Sequence, residues 1–594
     1  MNKSVVGAES RVRVSRKLSG AKRTLLQCLI AAALFLATAA FTLWQNSRVA
    51  VLWDLSYLLD SSYRIALGQF PYRDFPFAHA PLTFLLHAAI IKLFGRVYMP
   101  HILCAAIEAG LATLLLWRIL LRQLAPLAHS ASLVAFLLAT PLTVVGIYGI
   151  YPHPVYDSDC ILSVLFALYL LQRANQSTAR NALAGAACVL PLFFKQNIGM
   201  AFLPATLGSV VLVVIARLHQ RVSVAPQAGF FAGVGATFTV ALLLIQATAG
   251  MHNYLFWTIT FAAQRRLLAP DVLLHIYHQS SLLWTLPTSL AAFALLHCDK
   301  WIPQSFRVHC AMTGNQPRLF RVCSIVAFLL LAAPFLWTIV SLAFSDDPSD
   351  RADQLLSLWP HLLILAAILA MANLRFSLLL SRPSLTPLLP LILLATIHGA
   401  FLSQQLWGST YAIWPLLTLV VAALLAQVST IARPLTVVIA ATFLLCGSLY
   451  ATSHERLSYI HLDGPEVDAT LPTLGGLTAP GPWIPDFEDL VRATNAEIPS
   501  SDAILLLPGD VPFYFATGRT PRFPILLFDP ATNPYSAQQT LDQARAHNVR
   551  WLIFNRNSQL TAPPEPGLPQ LLVLLQQDFA LDRTVSGFEI YRHK

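Results

Sequence analysis

Long apolar runs follow one another from residue 24 to residue 451, with short polar connections between them. An apolar run of about 20 residues can cross the hydrocarbon core of a membrane as a helix. The runs that reach or approach this length predict about 13 transmembrane helices. The first follows a basic N-terminus, and we interpret it as a spanning helix that is not removed as a signal peptide.

One apolar run is shorter than the others. The run from Pro81 to Phe94 ends in Gly95-Arg96 and has only about 14 residues, which is short of the length needed to cross. We interpret it as a juxtamembrane helix in the interface. The polar stretch around Asp54 and the stretch 151–159 then lie on the same side of the membrane. If the short run crossed, the two stretches would lie on opposite sides.

The basic residues agree with this topology. Lysine and arginine residues precede the first span, which predicts a cytoplasmic N-terminus. The connections that then fall in the cytoplasm carry Arg173 and Arg180, Arg217 and Arg221, Lys300, Arg307, Arg318 and Arg321, Arg375 and Arg382, and Arg433. The outer connection 345–353 is acidic instead. The net charge of +10 is therefore a topology signal, and no nucleic-acid partner is expected.

Composition indicates the same class of protein. Of the 594 residues, 56% are apolar and 11% are charged, whereas about a quarter of the residues of soluble proteins are charged. The eight cysteines form no CxxC pair and no disulfide framework. We therefore expect an α-helical polytopic membrane protein.

The chain changes character after Ala451. Proline and glycine are dense from Gly464 to Pro485, and helical patterns at 486–498 and 535–548 alternate with strand-like runs at 503–507, 524–528, 550–554 and 587–591. This predicts a small α/β domain on the extracytoplasmic side. The predicted organisation is a basic N-terminus at 1–23, a transmembrane domain at 24–451 whose first outer loop is 46–97, and the α/β domain at 452–594.

Candidate chemistry begins in the first outer loop. Asp54 lies at the mouth of the first span beside Trp53 and Tyr57, where partial desolvation favours a stronger base. The plainer interpretation is a solvated carboxylate among aromatic residues of the membrane interface. The sequence pattern alone does not decide between these two interpretations of Asp54.

A second acidic cluster is Asp157-Ser158-Asp159, which follows His153. Two carboxylates and an imidazole are ligands for Mg²⁺ or Mn²⁺, and such an ion would hold phosphate oxygens. Alternatively, Ser158 or Asp159 caps the next helix. A divalent cation is thus one of two interpretations of this cluster.

Basic residues near the outer face form the third candidate set. Lys195-Gln196 interrupts an apolar region, and a charge at membrane depth suggests a role such as pairing with phosphate; the alternative is a lysine that extends to the interface. Arg265 and Arg266 follow an amphipathic stretch. They would bind an anionic head group or a diphosphate, or contact ordinary lipid.

The order of these motifs resembles a known family. The first outer loop carries Asp54, Tyr63, Gly68, Pro71-Tyr72-Arg73-Asp74-Phe75, Pro81-Leu82 and Leu93-Phe94-Gly95. It is similar to that of the GT-C membrane glycosyltransferases, which include protein mannosyltransferases, lipid A aminoarabinose transferases and a related bacterial group. The resemblance extends more loosely through Asp157 to Asp159, Phe194-Lys195-Gln196, Ser403-Gln404-Gln405 and 408–411, and so covers 24–451.

The resemblance implies a function at the outer face of a bacterial inner membrane. The donor would be a polyprenyl-phosphate-linked sugar, and a hydroxyl of a lipid, glycan or protein would attack its anomeric carbon with inversion. Asp54 would act as the base or orient the acceptor, and Asp157 with Asp159 would hold a metal. Substrate would be bound by Tyr57, Tyr63, Arg73, Asp74 and His79, together with Lys195, Gln196, Arg265 and Arg266.

The sequence departs from the family at two of these positions. Asp54 is followed by Leu55, where related transferases often have a second acidic residue, and His79-Ala80-Pro81 stands where many have a lysine before two prolines. Two other functions fit a polytopic chain: a transporter or flippase of a lipid-linked precursor, and a non-catalytic subunit with the same fold. Charges collected at one face favour interfacial chemistry over transport.

Overall fold

The computed structural model describes residues 3–149, 152–174, 177–266, 274–296, 316–346, 356–379, 383–402, 412–452, 457–530, 532–563 and 566–594. Within them, seven helices are long and apolar enough to cross a membrane, and six shorter apolar helices accompany them. The chain is an integral membrane protein. The predicted fold class is confirmed, whereas the count of about 13 spans is not.

The helices of the membrane part are as follows. They are α1 (Lys3–Asn46), α2 (Leu52–Ala66), α3 (Leu82–Phe94), α4 (Met99–Gln123), α5 (Ala131–Ala139), α6 (Tyr156–Leu171), α7 (Thr178–Phe194), α8 (Gln196–His219), α9 (Ala225–Thr248), α10 (Met251–Leu255), α11 (Ala262–Arg266), α12 (Leu282–Leu296), α13 (Gln316–Phe344), α14 (Leu358–Leu379), α15 (Leu389–Phe401), α16 (Trp414–Leu425) and α17 (Ala432–Thr452).

Small residues set the closest helix contact in the bundle. A Cβ atom on Gly185 of α7 would come within 2.1 Å of the carbonyl oxygen of Phe230 on α9, and one on Gly233 of α9 within 2.0 Å of the carbonyl oxygen of Ala182. Helices in lipid associate through such close backbone approach, because there is no water to drive apolar burial. The two glycines therefore fix how α7 and α9 pack.

The α2 and α3 helices lie within 46–97, the stretch predicted to be the first outer loop. Leu52, Leu55 and Leu59 recur at helical spacing on α2 and are fully buried. The short apolar run forms α3, which is not among the seven helices long enough to span. His153 nevertheless lies beside Asp54, so the first and second polar stretches lie at the same end of the bundle.

The C-terminal domain is built on a four-stranded sheet with the order β3-β4-β6-β5. Its strands are β3 (Ala503–Leu507), β4 (Val549–Asn555), β5 (Phe579–Val585) and β6 (Phe588–His593), beside a separate hairpin of β1 (Glu466–Asp468) and β2 (Thr478–Pro480). The β3 and β4 strands pair in parallel and the other pairs are antiparallel. The helices are α18 (Trp483–Glu497), α19 (Phe513–Thr517), α20 (Ala537–Ala546) and α21 (Leu568–Leu575).

Two sequence predictions in this domain differ from the structure. The run 524–528, predicted to be a strand, is irregular because its backbone contacts α2 instead of a neighbouring strand. Phe579–Val585 was not predicted, although it pairs with β6. This edge strand has exposed polar residues such as Asp582 and Thr584. It therefore lacks most of the apolar pattern from which a strand is predicted.

The C-terminal domain is anchored to α2 by two buried ionisable residues. Asp60 accepts hydrogen bonds from the backbone N–H groups of Phe515 at 2.7 Å and Tyr514 at 3.2 Å. Arg64 donates to the carbonyl oxygens of Pro524 at 2.7 Å and Phe523 at 3.2 Å. Both side chains are almost fully buried. Buried polar groups need hydrogen-bond partners, and here the side chains of α2 and the backbone of the C-terminal domain provide them for each other.

Candidate active site

Asp54 lies in the first turn of α2 and is held by residues from two other parts of the chain. Its Oδ2 accepts a hydrogen bond from the Tyr459 hydroxyl at 2.8 Å and lies 3.2 Å from Nε2 of His153. The Asp54 side chain is 31% exposed, whereas His153 is buried. We call these three residues the Asp54 cluster. Both contacts reach Oδ2, so within the described residues Oδ1 is the oxygen that remains for a substrate.

The start of α2 is fixed by the C-terminal domain as well. The side chain of Gln559 accepts a hydrogen bond from the backbone N–H of Leu52 at 2.9 Å and donates one to the carbonyl oxygen of Ala50 at 2.9 Å. The first N–H groups of a helix have no partner within it, and Gln559 provides one. The C-terminal domain therefore positions both the backbone and the carboxylate of Asp54.

Aromatic residues line the loop next to the Asp54 cluster. Tyr57 lies three residues after Asp54 on α2, and its hydroxyl is 2.8 Å from Nδ1 of His79. The backbone carbonyl of His79 accepts a hydrogen bond from the Tyr72 hydroxyl. The imidazole ring of His79 lies 4.8 Å from the ring of Tyr156. Residues three apart on a helix share a face. His79 thus belongs to the same wall as Asp54.

Lys195 and Asp157 form a buried ion pair at the same end of the bundle. Asp157 is in the first turn of α6, and the Lys195 ammonium contacts its Oδ1 and lies 5.2 Å from the centre of the Tyr156 ring. Lys195 has extended backbone between α7 and α8. Gly199 permits this sharp connection, since a Cβ atom there would come within 2.2 Å of Leu192 Cα.

Asp159 faces a different environment from Asp157. Its Oδ2 accepts a hydrogen bond from the Thr83 hydroxyl at 2.5 Å, and its carboxyl neighbours that of Glu108 on α4. Glu108 in turn accepts from the Tyr148 hydroxyl at 2.9 Å. Residues two apart on a helix point about 200° away from each other, which is why the two carboxylates separate.

The predicted metal ligands are therefore not brought together. His153 contacts Asp54, Asp157 contacts Lys195 and Asp159 contacts Thr83. Among the residues that the structure describes, no group of three or more His, Cys, Asp or Glu side chains is placed to hold a metal ion. The residues present do not fit the Mg²⁺ or Mn²⁺ site that the spacing suggested.

The other predicted substrate-binding residues have different surroundings. Tyr63 donates to the carbonyl oxygen of Gly518 at 2.9 Å, and Gln196 donates to that of Ala78 at 3.1 Å. Arg73 and Asp74 pair with each other at 2.8 Å in an exposed turn. That pairing holds the pKa of the Asp74 carboxyl below its usual value. Tyr63 and Gln196 thus link segments, and Arg73 with Asp74 fixes a turn.

The side chains of Arg265 and Arg266, at the end of α11, lie outside the described residues. The same is true of 403–411, part of the stretch that carries the looser resemblance. Their assignment to the site stays a prediction.

A cleft opens beside Tyr57 where the two domains meet. Its volume is about 20 Å³, and its walls come from α2, from the loop 75–78 and from 524–527 of the C-terminal domain. The buried Arg64 lies in its wall. A space of this volume has room for about one water molecule next to the aromatic wall.

Sequence reasoning missed three residues of this region. Glu108 carried a usable signal, because an acidic residue inside an apolar span is uncommon and usually functional. Tyr459 and Gln559 carried none, since they are ordinary polar residues more than 400 positions from Asp54 and reach it only through the docking of the C-terminal domain.

No protein-family model and no curated protein matches the chain. Solved structures match most of its length at low identity. ArnT from Cupriavidus metallidurans bound to undecaprenyl phosphate is 13% identical with a TM-score of 0.44, and the match covers 96% of this chain and 98% of ArnT. AglB, the oligosaccharyltransferase of Archaeoglobus fulgidus, in complex with an inhibitory peptide and a dolichol-phosphate, is 11% identical with a TM-score of 0.46 over 95% of this chain and 74% of its own.

A further structure of the Archaeoglobus fulgidus oligosaccharyltransferase, in complex with Zn and sulfate, is 14% identical with a TM-score of 0.41 over 94% of this chain and 73% of its own. ArnT and AglB both have the GT-C fold, which is the family that the sequence of this chain resembles.

Proposed function

We propose that this protein is a membrane glycosyltransferase that moves a sugar from a polyprenyl-phosphate donor to a hydroxyl group of a lipid, glycan or protein acceptor, with inversion at the anomeric carbon. The observation that carries the proposal is the Asp54 cluster. A partly exposed carboxylate is held there through one oxygen by a buried imidazole and a tyrosine hydroxyl. Such an oriented carboxylate is suited to accept a proton from a substrate hydroxyl.

In the proposed reaction the acceptor hydroxyl donates a hydrogen bond to Oδ1 of Asp54. As the hydroxyl oxygen forms its bond to the anomeric carbon, its proton passes to the carboxylate. The bond between the anomeric carbon and the phosphate oxygen breaks, and the polyprenyl phosphate leaves with the electron pair. His153 and Tyr459 keep the carboxylate oriented through Oδ2.

Lys195 is the residue we assign to the donor phosphate. Its ammonium group pairs with Asp157 and lies behind Tyr156, whose ring also contacts His79. A phosphate between the aromatic wall and Lys195 would accept a charge-assisted hydrogen bond from the ammonium when the substrate binds. Gln196, Arg265 and Arg266 remain proposed contacts of the same donor.

We further propose that the Asp54 end faces the extracytoplasmic side of a bacterial inner membrane, with the N-terminus in the cytoplasm. Arginine residues gather at the opposite end of the bundle, where Arg122 and Arg173 both lie against the ring of Tyr169. Lysine and arginine residues are enriched on the cytoplasmic side of membrane proteins. This distribution supports the proposed orientation, in which the C-terminal domain is extracytoplasmic.

The proposal is tested with the purified chain in detergent. Polyprenyl-phosphate sugars are supplied with hydroxyl acceptors, and release of polyprenyl phosphate is followed for the wild type, Asp54→Asn and Asp54→Ala, with and without EDTA. Loss of a general base is expected to lower the rate by about 10²–10⁴-fold. Asp542→Asn is the matched control, because Asp542 is an exposed carboxylate on α20.

Equal release by wild type and Asp54→Asn would remove Asp54 from the mechanism. If a preparation binds the donors but releases no polyprenyl phosphate with any acceptor, the transferase proposal is contradicted and a transporter or a non-catalytic subunit takes its place. Inhibition by EDTA would show that a metal ion acts through ligands other than those predicted from the sequence.

A further inference from the structure

A large cavity lies at the end of the helical bundle opposite the Asp54 cluster. Its volume is about 510 Å³. Its lining comes from the end of α6, the start of α7, the end of α8, the start of α9 and the residues that lead into α15. The other ends of α6, α7 and α8 carry Asp157 and Lys195. Since α6 has 16 residues, the two sites are about 24 Å apart along the bundle.

One side of this cavity is polar and carries positive charge. Arg217, in the last turn of α8, lines it and is only 6% exposed. Gln172 and Gln227 also line it, and the carboxamide oxygen of each is buried without a hydrogen-bond partner in the described part of the chain. Gln227 is 8% exposed. A carboxamide that turns by 180° presents N–H donors instead, so both glutamines are able to donate to a ligand.

No acidic side chain is among the described residues that line the cavity. The acidic residues of the membrane part whose side chains the structure describes, which are Asp54, Asp60, Asp74, Glu108, Asp157, Asp159 and Asp346, lie elsewhere. In addition, α7 and α9 both begin at this cavity, with Asn181 and Gln227 in their first turns. Helix N-termini add positive partial charge, and the buried guanidinium adds a full one.

The other side of the cavity is apolar. Leu168, Leu171, Val213, Leu389 and Ile392 line it. A small water-soluble anion would gain nothing from contact with an apolar surface. A molecule with an anionic head group and a hydrocarbon tail would contact both the polar and the apolar side of the cavity. The cavity lies at the end of an integral membrane bundle, where such molecules are concentrated.

We propose that this cavity is a binding site for a membrane lipid with an anionic phosphate head group, in which Arg217, with Gln172 and Gln227, binds the phosphate and the leucine-rich wall binds the start of the tail. The site is separate from the proposed transferase site and does not depend on it. The shared chemistry is the phosphate, and its two sources are an ordinary anionic glycerophospholipid and a polyprenyl phosphate.

The test measures lipid binding to the full chain by native mass spectrometry from detergent micelles. The probes are phosphatidylglycerol, diacylglycerol with the same acyl chains and undecaprenyl phosphate. Phosphatidylglycerol is expected to bind wild type well, and diacylglycerol at least about tenfold more weakly, because hydrogen bonds to a charged group carry a large part of the affinity. Arg217→Gln is expected to weaken phosphatidylglycerol binding about tenfold.

Three further variants separate binding from folding. Arg180→Gln removes an exposed arginine at the same end of α7 and is expected to leave binding unchanged. Arg217→Lys keeps the charge and is expected to retain most of the affinity. Leu385→Trp fills the cavity without a change of charge and is expected to exclude the lipid. Only variants that are monodisperse in size-exclusion chromatography are compared. If Arg217→Gln is not monodisperse, the result for Leu385→Trp decides whether the lipid binds in this cavity.

If undecaprenyl phosphate displaces phosphatidylglycerol from the Arg217-dependent site, a polyprenyl phosphate is identified as an occupant. If phosphatidylglycerol stays bound, the occupant is the glycerophospholipid. The proposal is overturned if diacylglycerol binds as tightly as phosphatidylglycerol. It is also overturned if the folded Arg217→Gln and Leu385→Trp proteins both bind phosphatidylglycerol like the wild type.

Discussion

At the scale of single residues, the Asp54 cluster joins three distant parts of the chain. Asp54 comes from the start of α2, His153 from the second polar stretch and Tyr459 from the C-terminal domain. The sequence indicated the first two, because each is a polar residue next to an apolar run. It gave no reason to select Tyr459, because only the tertiary fold brings that hydroxyl to the carboxylate.

Tyr459→Phe removes one of the two groups that hold Asp54. A hydrogen bond to a charged group contributes about 1.5–3 kcal/mol, and we expect the transfer rate to fall about tenfold while KM changes little. Steady-state kinetics with a polyprenyl-phosphate sugar measure both constants. Tyr98→Phe is the control, because the buried Tyr98 hydroxyl has no hydrogen-bond partner in the described part of the chain. Equal losses in the two variants would show that Tyr459 has no specific part in the reaction.

The ion pair of Lys195 and Asp157 makes a prediction about stability. Removal of one partner leaves the other charge buried and unpaired, which costs about 3–5 kcal/mol. Lys195→Met is therefore expected to unfold at a clearly lower temperature than the wild type, and Lys195→Met with Asp157→Asn to recover much of the loss. Thermal unfolding in detergent measures this.

If Lys195 also binds the donor phosphate, the double variant stays inactive although its stability returns. Recovery of activity together with stability would limit the pair to a structural role.

At the scale of elements, the regular geometry of α6 explains why the sequence interpretation of a metal site differs from the structure. Asp157 and Asp159 look like a pair in the sequence, but α6 begins at Tyr156 and turns their side chains toward Lys195 and Thr83. The metal interpretation required the two carboxylates to converge on one ion, which their positions two residues apart on this helix do not allow. The short run 81–94 was interpreted correctly as a helix, since its length is visible in the sequence.

The contact between α2 and α19 predicts a pH dependence of stability. Burial raises the pKa of Asp60 to about 8, whereas the carboxyl of an unfolded chain ionises near pH 4. Between about pH 4 and pH 8 the folded protein thus holds a proton that the unfolded chain releases, and the stability that this group contributes falls as the pH rises through that range.

Asp60→Asn carries a neutral side chain of the same shape at every pH. We expect it to lower the difference between the unfolding temperatures at pH 5 and pH 8 relative to the wild type. Asp542→Asn, on an exposed face of α20, should leave that difference as it is. The assignment of the pH dependence to Asp60 fails if wild type and Asp60→Asn show the same difference.

At the scale of the whole molecule, the sequence predicts a boundary near residue 452, because apolar runs give way there to a soluble composition. The way in which the two parts dock was not visible. It depends on Asp60, Arg64 and Gln559, whose partners are mostly backbone groups. Backbone groups are the same in every residue, so no sequence pattern reveals which of them will meet a given side chain.

Arg64→Met is expected to loosen this docking. The substitution removes the donors to the carbonyl oxygens of Phe523 and Pro524, which then lose partners in a buried position. Hydrogen exchange in 513–528 should become at least about tenfold faster, and transfer activity should fall because Tyr459 belongs to the loosened domain. Arg550→Met, at an exposed position of β4, is the control. Unchanged exchange in Arg64→Met would show that the apolar contacts alone hold the domains.

The dependence of the Asp54 cluster on the C-terminal domain also bears on biosynthesis. A ribosome makes Asp54 early, but Tyr459 and Gln559 emerge only after every helix of the membrane part has been synthesised. A nascent chain that has inserted all its helices therefore still has an incomplete site. In the proposed orientation, the site is completed only when the last domain has been exported and has folded against α2, so export of that domain is the step that switches the protein on.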